Sequence, residues 1–166
     1  MSLCMKQILL ILFITVSMNL TAQNIRSSVH VLSDNVCDIL SNAAKEKSAE
    51  LGLDISFAIA DADGLPRLFR RFGNALVLST ILVPDKAYTA AITMTPTDAL
   101  APLVADGGNL MGINTCDLHI TVVPGGLPLF VDGQIVGAIG IGGGSKEQDM
   151  EIAHHVLEKF NKLFAH

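Results

Sequence analysis

Between Pro124 and Asp149 the chain reads PGGLPLFVDGQIVGAIGIGGGSKEQD, an order that few backbone arrangements satisfy. Pro124-Gly125-Gly126 turns the chain into a short apolar run, Leu127 to Val131. Asp132-Gly133 follows, a pair that tolerates the positive φ angles of a two-residue hairpin. A second run, Gln134 to Ile141, carries Ile135, Val136, Ile139 and Ile141. Gly137 and Gly140 interrupt it, the mark of a strand that another backbone or a flat ligand approaches closely. Gly142-Gly143-Gly144 ends the strand, and Ser145 to Gln148 has the S-x-x-Q form that opens a helix. The expected order is turn, strand, hairpin, strand, glycine loop, helix. A GxGxxG match fails in every register, and no Gly-Lys-Ser or Gly-Lys-Thr occurs, so neither nucleotide fingerprint is present. The loop is read as a tight strand-to-helix turn, a geometry that can also hold an anion.

Upstream, Ser27 or Ser28 is expected to cap a helix that runs to about Leu51 and ends at Gly52. Val29, Leu32, Val36, Ile39, Leu40 and Ala43 recur at helical spacing as its buried stripe. His30, Cys37, Ser41 and Ala44 share a second side, which carries small groups and two potential metal ligands or is simply solvated or subunit-facing. Asp54 to Ala60 alternates as a strand, and Asp61-Ala62-Asp63-Gly64 turns it into a second, exposed strand, Arg67 to Phe72. The turn resembles the start of a calcium loop, but the later acidic ligands do not follow. Pro84 suits the first turn of an Ala-rich helix, Asp85 to Thr93. Thr95-Pro96-Thr97-Asp98 opens another, with Thr95 as its cap. Leu118 to Val123 reads as a strand, and the last helix runs from Ser145 to about Phe164. His154 and His155 are adjacent, point about 100° apart on that helix, and are read as surface residues. Hairpin links between neighbouring strands make this an α/β (α+β) chain with a mainly antiparallel sheet under helices.

At 166 residues this is one domain, and only 16% of it is charged while half is hydrophobic. The mean hydropathy is +0.48. Such a chain is expected to bury further surface between subunits. With a net charge of −5, no Trp and one Tyr, it offers nucleic acid neither an electrostatic footprint nor stacking surfaces. Residues 1–22 have the anatomy of a secretory signal peptide: Lys6, a short apolar core from Ile8 to Val16, and a small-residue site at Thr21-Ala22. That core is too short to span a bilayer comfortably. The expectation is a single domain over 23–166, periplasmic or secreted, with no stable membrane span after cleavage. Cys37 and Cys116 could pair in an oxidising compartment, but spacing does not decide it. Cys116-Asp117-Leu118-His119 is C-x-x-H, without the second cysteine of covalent haem attachment. No G-x-S-x-G nucleophile elbow occurs.

Five segments taken together carry a resemblance: Asp61 to Gly64, Asp85 to Ala91, Gly125 to Pro128, Val136 to Gly143, and Gln148-Asp149. In this order and spacing they resemble the GlcG/HbpS-like family, the haem-degrading domain family, which includes the C-terminal domain of PduO-type cobalamin adenosyltransferases. The resemblance covers about Ile25 to Phe160. It implies a profilin-like fold with a five-stranded antiparallel sheet between helices, homo-oligomers that are often octamers, and haem binding, sometimes with slow haem breakdown. The adenosyltransferase domain has no counterpart here. His30 on the first helix and Cys116 before the late strands match the places of haem contacts, as ligands to the haem iron. Lys86 and the Gly125-Gly126 turn lie within the shared motifs, where a cation and backbone donors would meet the propionates. Lys86 in a structural ion pair is the alternative. A non-enzymatic structural or sensory oligomer, or a binder of a small carboxylate metabolite without haem, is the alternative function.

Overall fold

A computed structural model describes residues 32–165. Its elements, in chain order, are α1 (Asp34–Glu50), β1 (Ser56–Asp61), β2 (Pro66–Arg71), α2 (Ser79–Thr93), α3 (Thr97–Val104), α4 (Ile113–Cys116), β3 (Gly126–Val131), β4 (Gln134–Gly142) and α5 (Lys146–Phe164). The strands form one antiparallel sheet in the order β2-β1-β4-β3.

The alternation of side chains along the strands makes three layers. Phe57 and Ile59 of β1, Leu127 and Leu129 of β3 and Ile139 and Ile141 of β4 point to one face. There they meet Leu40 and Ala44 of α1 and Ile152, Val156 and Phe160 of α5. Each such apolar side chain contributes about 1.5–3 kcal/mol by leaving water. The opposite face is almost all alanine: Ala58, Ala60 and Ala138 against Val83, Ala87, Ala90 and Ala91 of α2. That difference lets α2 lie unusually close to the sheet. A Cβ on Gly140 would stand 2.3 Å from the Val83 carbonyl oxygen, and one on Gly126 would stand 2.5 Å from that of Lys86. Of the two glycines that break the apolar run of β4, Gly140 is therefore covered by a helix backbone, while a Cβ on Gly137 would stand 2.4 Å from the Ala60 carbonyl oxygen of β1.

The hairpin forms as expected, with Asp132 at φ 51 and Gly133 at φ 75. The capping box forms too: Ser145 Oγ accepts from Gln148 N, and Gln148 Oε1 accepts from Ser145 N at 2.9 Å. Four strands are found among the described residues, not five. Leu118 to Val123 has strand-like composition, but its amides join no ladder: Thr121 N donates to Thr89 Oγ1 at 3.0 Å, Val123 N to Thr121 Oγ1, and Ile120 N to the nearby Asp117 carbonyl. Leu118 is 89% exposed, so the alternation has no second layer to bury it.

Three helices also depart from expectation. Within the described residues α1 starts after the Ser33 cap; Leu32, Leu40 and Ala43 of the expected stripe are buried, and so are Cys37, Ser41 and Ala44 of the other side. Val36 and Ile39 are only half-buried. The side read as ligand-bearing is core because α1 packs on both the sheet and α5, which widens its buried face. Helix α2 begins at Ser79 with Pro84 inside it; the missing N–H there leaves only the Thr80 carbonyl without its helical donor. Helix α3 starts one step later than expected, capped at Pro96, because Thr95 Oγ1 donates back to the Thr93 carbonyl. Among the described residues no helix is long and apolar enough to cross a membrane.

Candidate functional site

Two places on α2 carry chemistry. The first is beneath the glycine loop. Lys86 leaves the helix into the sheet and is 1% exposed. Its Nζ donates to Asp149 Oδ2 at 2.9 Å and to the Ile141 carbonyl at 2.6 Å. Asp149, in the first turn of α5, also accepts from Gly144 N at 3.0 Å through Oδ1. Burial pushes the Lys86 ammonium down and the Asp149 carboxyl up, each toward its neutral form, while their mutual attraction pulls both back. Gly125 completes the cradle: a Cβ there would stand 2.9 Å from Lys86 Nζ. Gly126 N is already taken, donating to Thr97 Oγ1 at 3.0 Å. A cleft of about 210 Å³ opens against the pair between Leu76, Leu78, Leu82 and Val123.

The second place is the loop after α4. Cys116 ends that short helix, exposed and unpaired. Asp117 follows and accepts the Tyr88 hydroxyl at 2.6 Å. His119 sets Nδ1 2.9 Å from Asp85 Oδ1 and its ring edge-on to Tyr88, with centroids 5.9 Å apart. The Asp85 hydrogen bond raises the His119 pKa above the ordinary histidine range. The Tyr88 hydroxyl holds the Asp117 carboxyl below its usual range, and Asp117 in turn raises the Tyr88 phenol. Tyr88 also reaches the β1–β2 turn, where a Cβ on Gly64 would meet its ring at 2.7 Å. Beside that contact lies an apolar groove of about 250 Å³, walled by Ala58, Ala60, Gly64, Phe69, Pro84 and Ala87.

The structure thus brings Lys86, Gly125 and Gly126 together around an internal ion pair, and Cys116 is not among the residues lining the cleft beside it. His30 lies outside the described residues. Cys37, a potential ligand in the sequence, is 2% exposed, and burial raises its thiol pKa. Sequence reasoning did not find Asp85, Tyr88 or the role of His119. The signal was the C-x-x-H spacing together with an acidic and an aromatic residue one helical turn apart, Asp85 and Tyr88.

The family model for haem degrading protein HbpS-like matches residues 32–158. An uncharacterized 15.0 kDa protein from the dhaT–dhaS intergenic region of Citrobacter freundii is 32% identical over 125 residues, 75% of this chain and 88% of that one. The corrinoid adenosyltransferase PduO of Salmonella typhimurium is 36% identical over 123 residues, 74% of this chain. The match spans only 37% of PduO. Among solved structures, a PduOC:heme complex superposes with a TM-score of 0.76 at 34% identity, covering 80% of this chain and 96% of that one.

Proposed function

This chain belongs to the HbpS-like family of haem-degrading proteins, and we propose on that footing that it binds haem. The observation that carries the proposal is an apolar groove along α2 that Tyr88 joins, through its contacts with Gly64, Asp117 and His119, to a loop that exposes a thiol and an imidazole. Haem asks for that combination: an apolar wall for the macrocycle and a soft or imidazole axial ligand. The donor set fits. Cys116 Sγ is accessible, and His119 keeps Nε2 open because Nδ1 is engaged. His30, placed on the first helix by sequence, is a further ligand candidate. When bound, haem supplies a redox-active iron; this chain's residues bind and orient it.

Lys86 fits the propionate role less well, since two of its three donors are spent inside the fold. Its support is for the ion-pair reading, with Gly125 and Gly126 shaping the cradle rather than meeting ligand. The groove is smaller than the roughly 300–1,000 Å³ of pockets that enclose whole ligands. A porphyrin there leaves part of its face for a second copy to cover. Leu76, Val77, Leu78 and Ile81 are each 66–71% exposed and supply an apolar surface for self-association. We read the protein as a homo-oligomer, exported by residues 1–22 to the periplasm or outside the cell, with a profilin-like fold.

Titration of the purified protein with ferric haem is expected to give a saturable shift of the Soret band. Cys116→Ser and His30→Ala are expected to weaken it. A parent that leaves the haem spectrum unchanged contradicts the reading and favours the haem-free carboxylate binder. The family description also carries haem breakdown. Soret loss with iron release, under reductant and in the presence of catalase, marks that activity.

A further inference from the structure

The loop after α4 holds an imidazole more firmly than an exposed side chain needs. The His119 side chain is 71% exposed. Yet Nδ1 is fixed by Asp85, and the ring leans on Tyr88. Its backbone is clamped at both ends: His119 N donates to Asp117 Oδ1 at 2.8 Å, and its carbonyl accepts from Thr89 Oγ1 at 3.2 Å. Tyr88 is itself held by Asp117, so the contacts close on one another. Ordering a surface side chain costs rotamer freedom, and among the described residues Nε2 has no hydrogen-bond partner to offset it.

The same arrangement has a clear use. An imidazole that donates Nδ1–H to a carboxylate carries its lone pair on Nε2, with fixed tautomer and orientation and raised basicity. That pairing is the usual surrounding of a metal-ligating histidine. Among the described residues no group of three or more His, Cys, Asp or Glu stands ready to hold a bare ion. A lone oriented imidazole suits a metal whose other positions are already filled, as the iron of a porphyrin is.

We propose that His119 is an axial ligand to haem iron through Nε2, with Asp85 as the positioning residue that sets its tautomer and donor strength. The proposal rests on the haem reading above. Asp85 directly follows Pro84, which walls the apolar groove, and Tyr88 touches both His119 and the groove residue Gly64, so the imidazole and the groove are held by one stretch of α2.

The test compares parent, His119→Ala and Asp85→Asn by haem titration, electron paramagnetic resonance of the ferric complex and redox titration. His119→Ala is expected to bind haem at least tenfold more weakly and to lose the parent's imidazole-ligated spectrum. Added free imidazole is expected to restore that spectrum, which a merely structural residue would not allow. Asp85→Asn, which keeps the ring but weakens its donor character, is expected to raise the iron's reduction potential. Parental affinity and spectrum in His119→Ala, or a loss that imidazole does not rescue, overturns the assignment while leaving haem binding standing. An unchanged potential in Asp85→Asn overturns the role of Asp85. A parent that takes up no haem removes the reading on which both depend.

Discussion

Lys86→Met is expected to destabilise the fold by about 3–5 kcal/mol, the cost of leaving one partner of a buried ion pair uncompensated. Asp149 is 7% exposed in its side chain, so water cannot take over from the ammonium. The loss is a property of the orphaned carboxylate more than of the missing lysine. Adding Asp149→Asn to the lysine variant removes the charge and keeps an acceptor for Gly144 N, and is expected to recover at least half of the loss. The pH dependence has a definite sign. Burial raises the Asp149 carboxyl even with Lys86 present, and losing the cation raises it further. The folded variant then binds a proton that the unfolded chain does not, so its deficit is largest above the raised pKa. The deficit shrinks as pH falls toward the ordinary carboxylate range. Urea unfolding of the single and double variants across pH measures all of this; a single-variant loss below about 1 kcal/mol would mean the pair is not desolvated.

Gly140→Ala is expected to cost about 3 kcal/mol, at the upper end of what overpacking does. The new methyl group would stand 2.3 Å from the Val83 carbonyl oxygen and 2.9 Å from Ala87 N, both of them helix backbone with no side-chain rotation to relieve the clash. Either α2 retreats and opens a void over Ala58, Ala90 and Ala138, or β4 bends away from β1 and β3. Gly107→Ala separates this from simple backbone strain. That glycine has φ +80 and nothing within 4 Å of the added carbon, so about 1–2 kcal/mol of left-handed strain is all it should lose. Thermal unfolding of the two variants decides it. Equal losses would mean that the α2–sheet approach is loose and that the alanine face has room to spare.

The parts of this molecule that sequence made legible are those in which cause and effect lie within a few residues. Asp132-Gly133 forces its own turn, and Ser145 finds Gln148 within one turn of helix. Gly137 and Gly140 announced a close approach, although only the fold shows that backbone rather than a flat ligand makes it, Ala60 of β1 at the first and Val83 of α2 at the second. What stayed hidden depends on distant residues. Lys86 and Asp149 are 63 positions apart, and Asp85 and His119 are 34 apart. Nothing local marks either as a pair. Leu118 to Val123 misled for the converse reason: its β-branched composition suits a strand, but strand propensity expresses packing against neighbours, and this segment has Thr89 to bond and no ladder to join. On the first helix the expected stripe is core at Leu32, Leu40 and Ala43, and the small Cys37, Ser41 and Ala44 are buried as well because α5 and the sheet both crowd the helix.

The central claim is that iron porphyrin lodges against α2 beside the loop that carries Cys116 and His119. Anomalous diffraction at the iron edge from crystals of the haem-loaded protein locates the metal without reference to any variant. The account predicts one peak per chain, within coordination distance of His119 Nε2 or Cys116 Sγ, with the macrocycle over Ala58, Ala60 and Phe69. A peak in the cleft beside Lys86, one against Leu76 to Ile81 remote from that loop, or no ordered iron in a fully loaded crystal would contradict it.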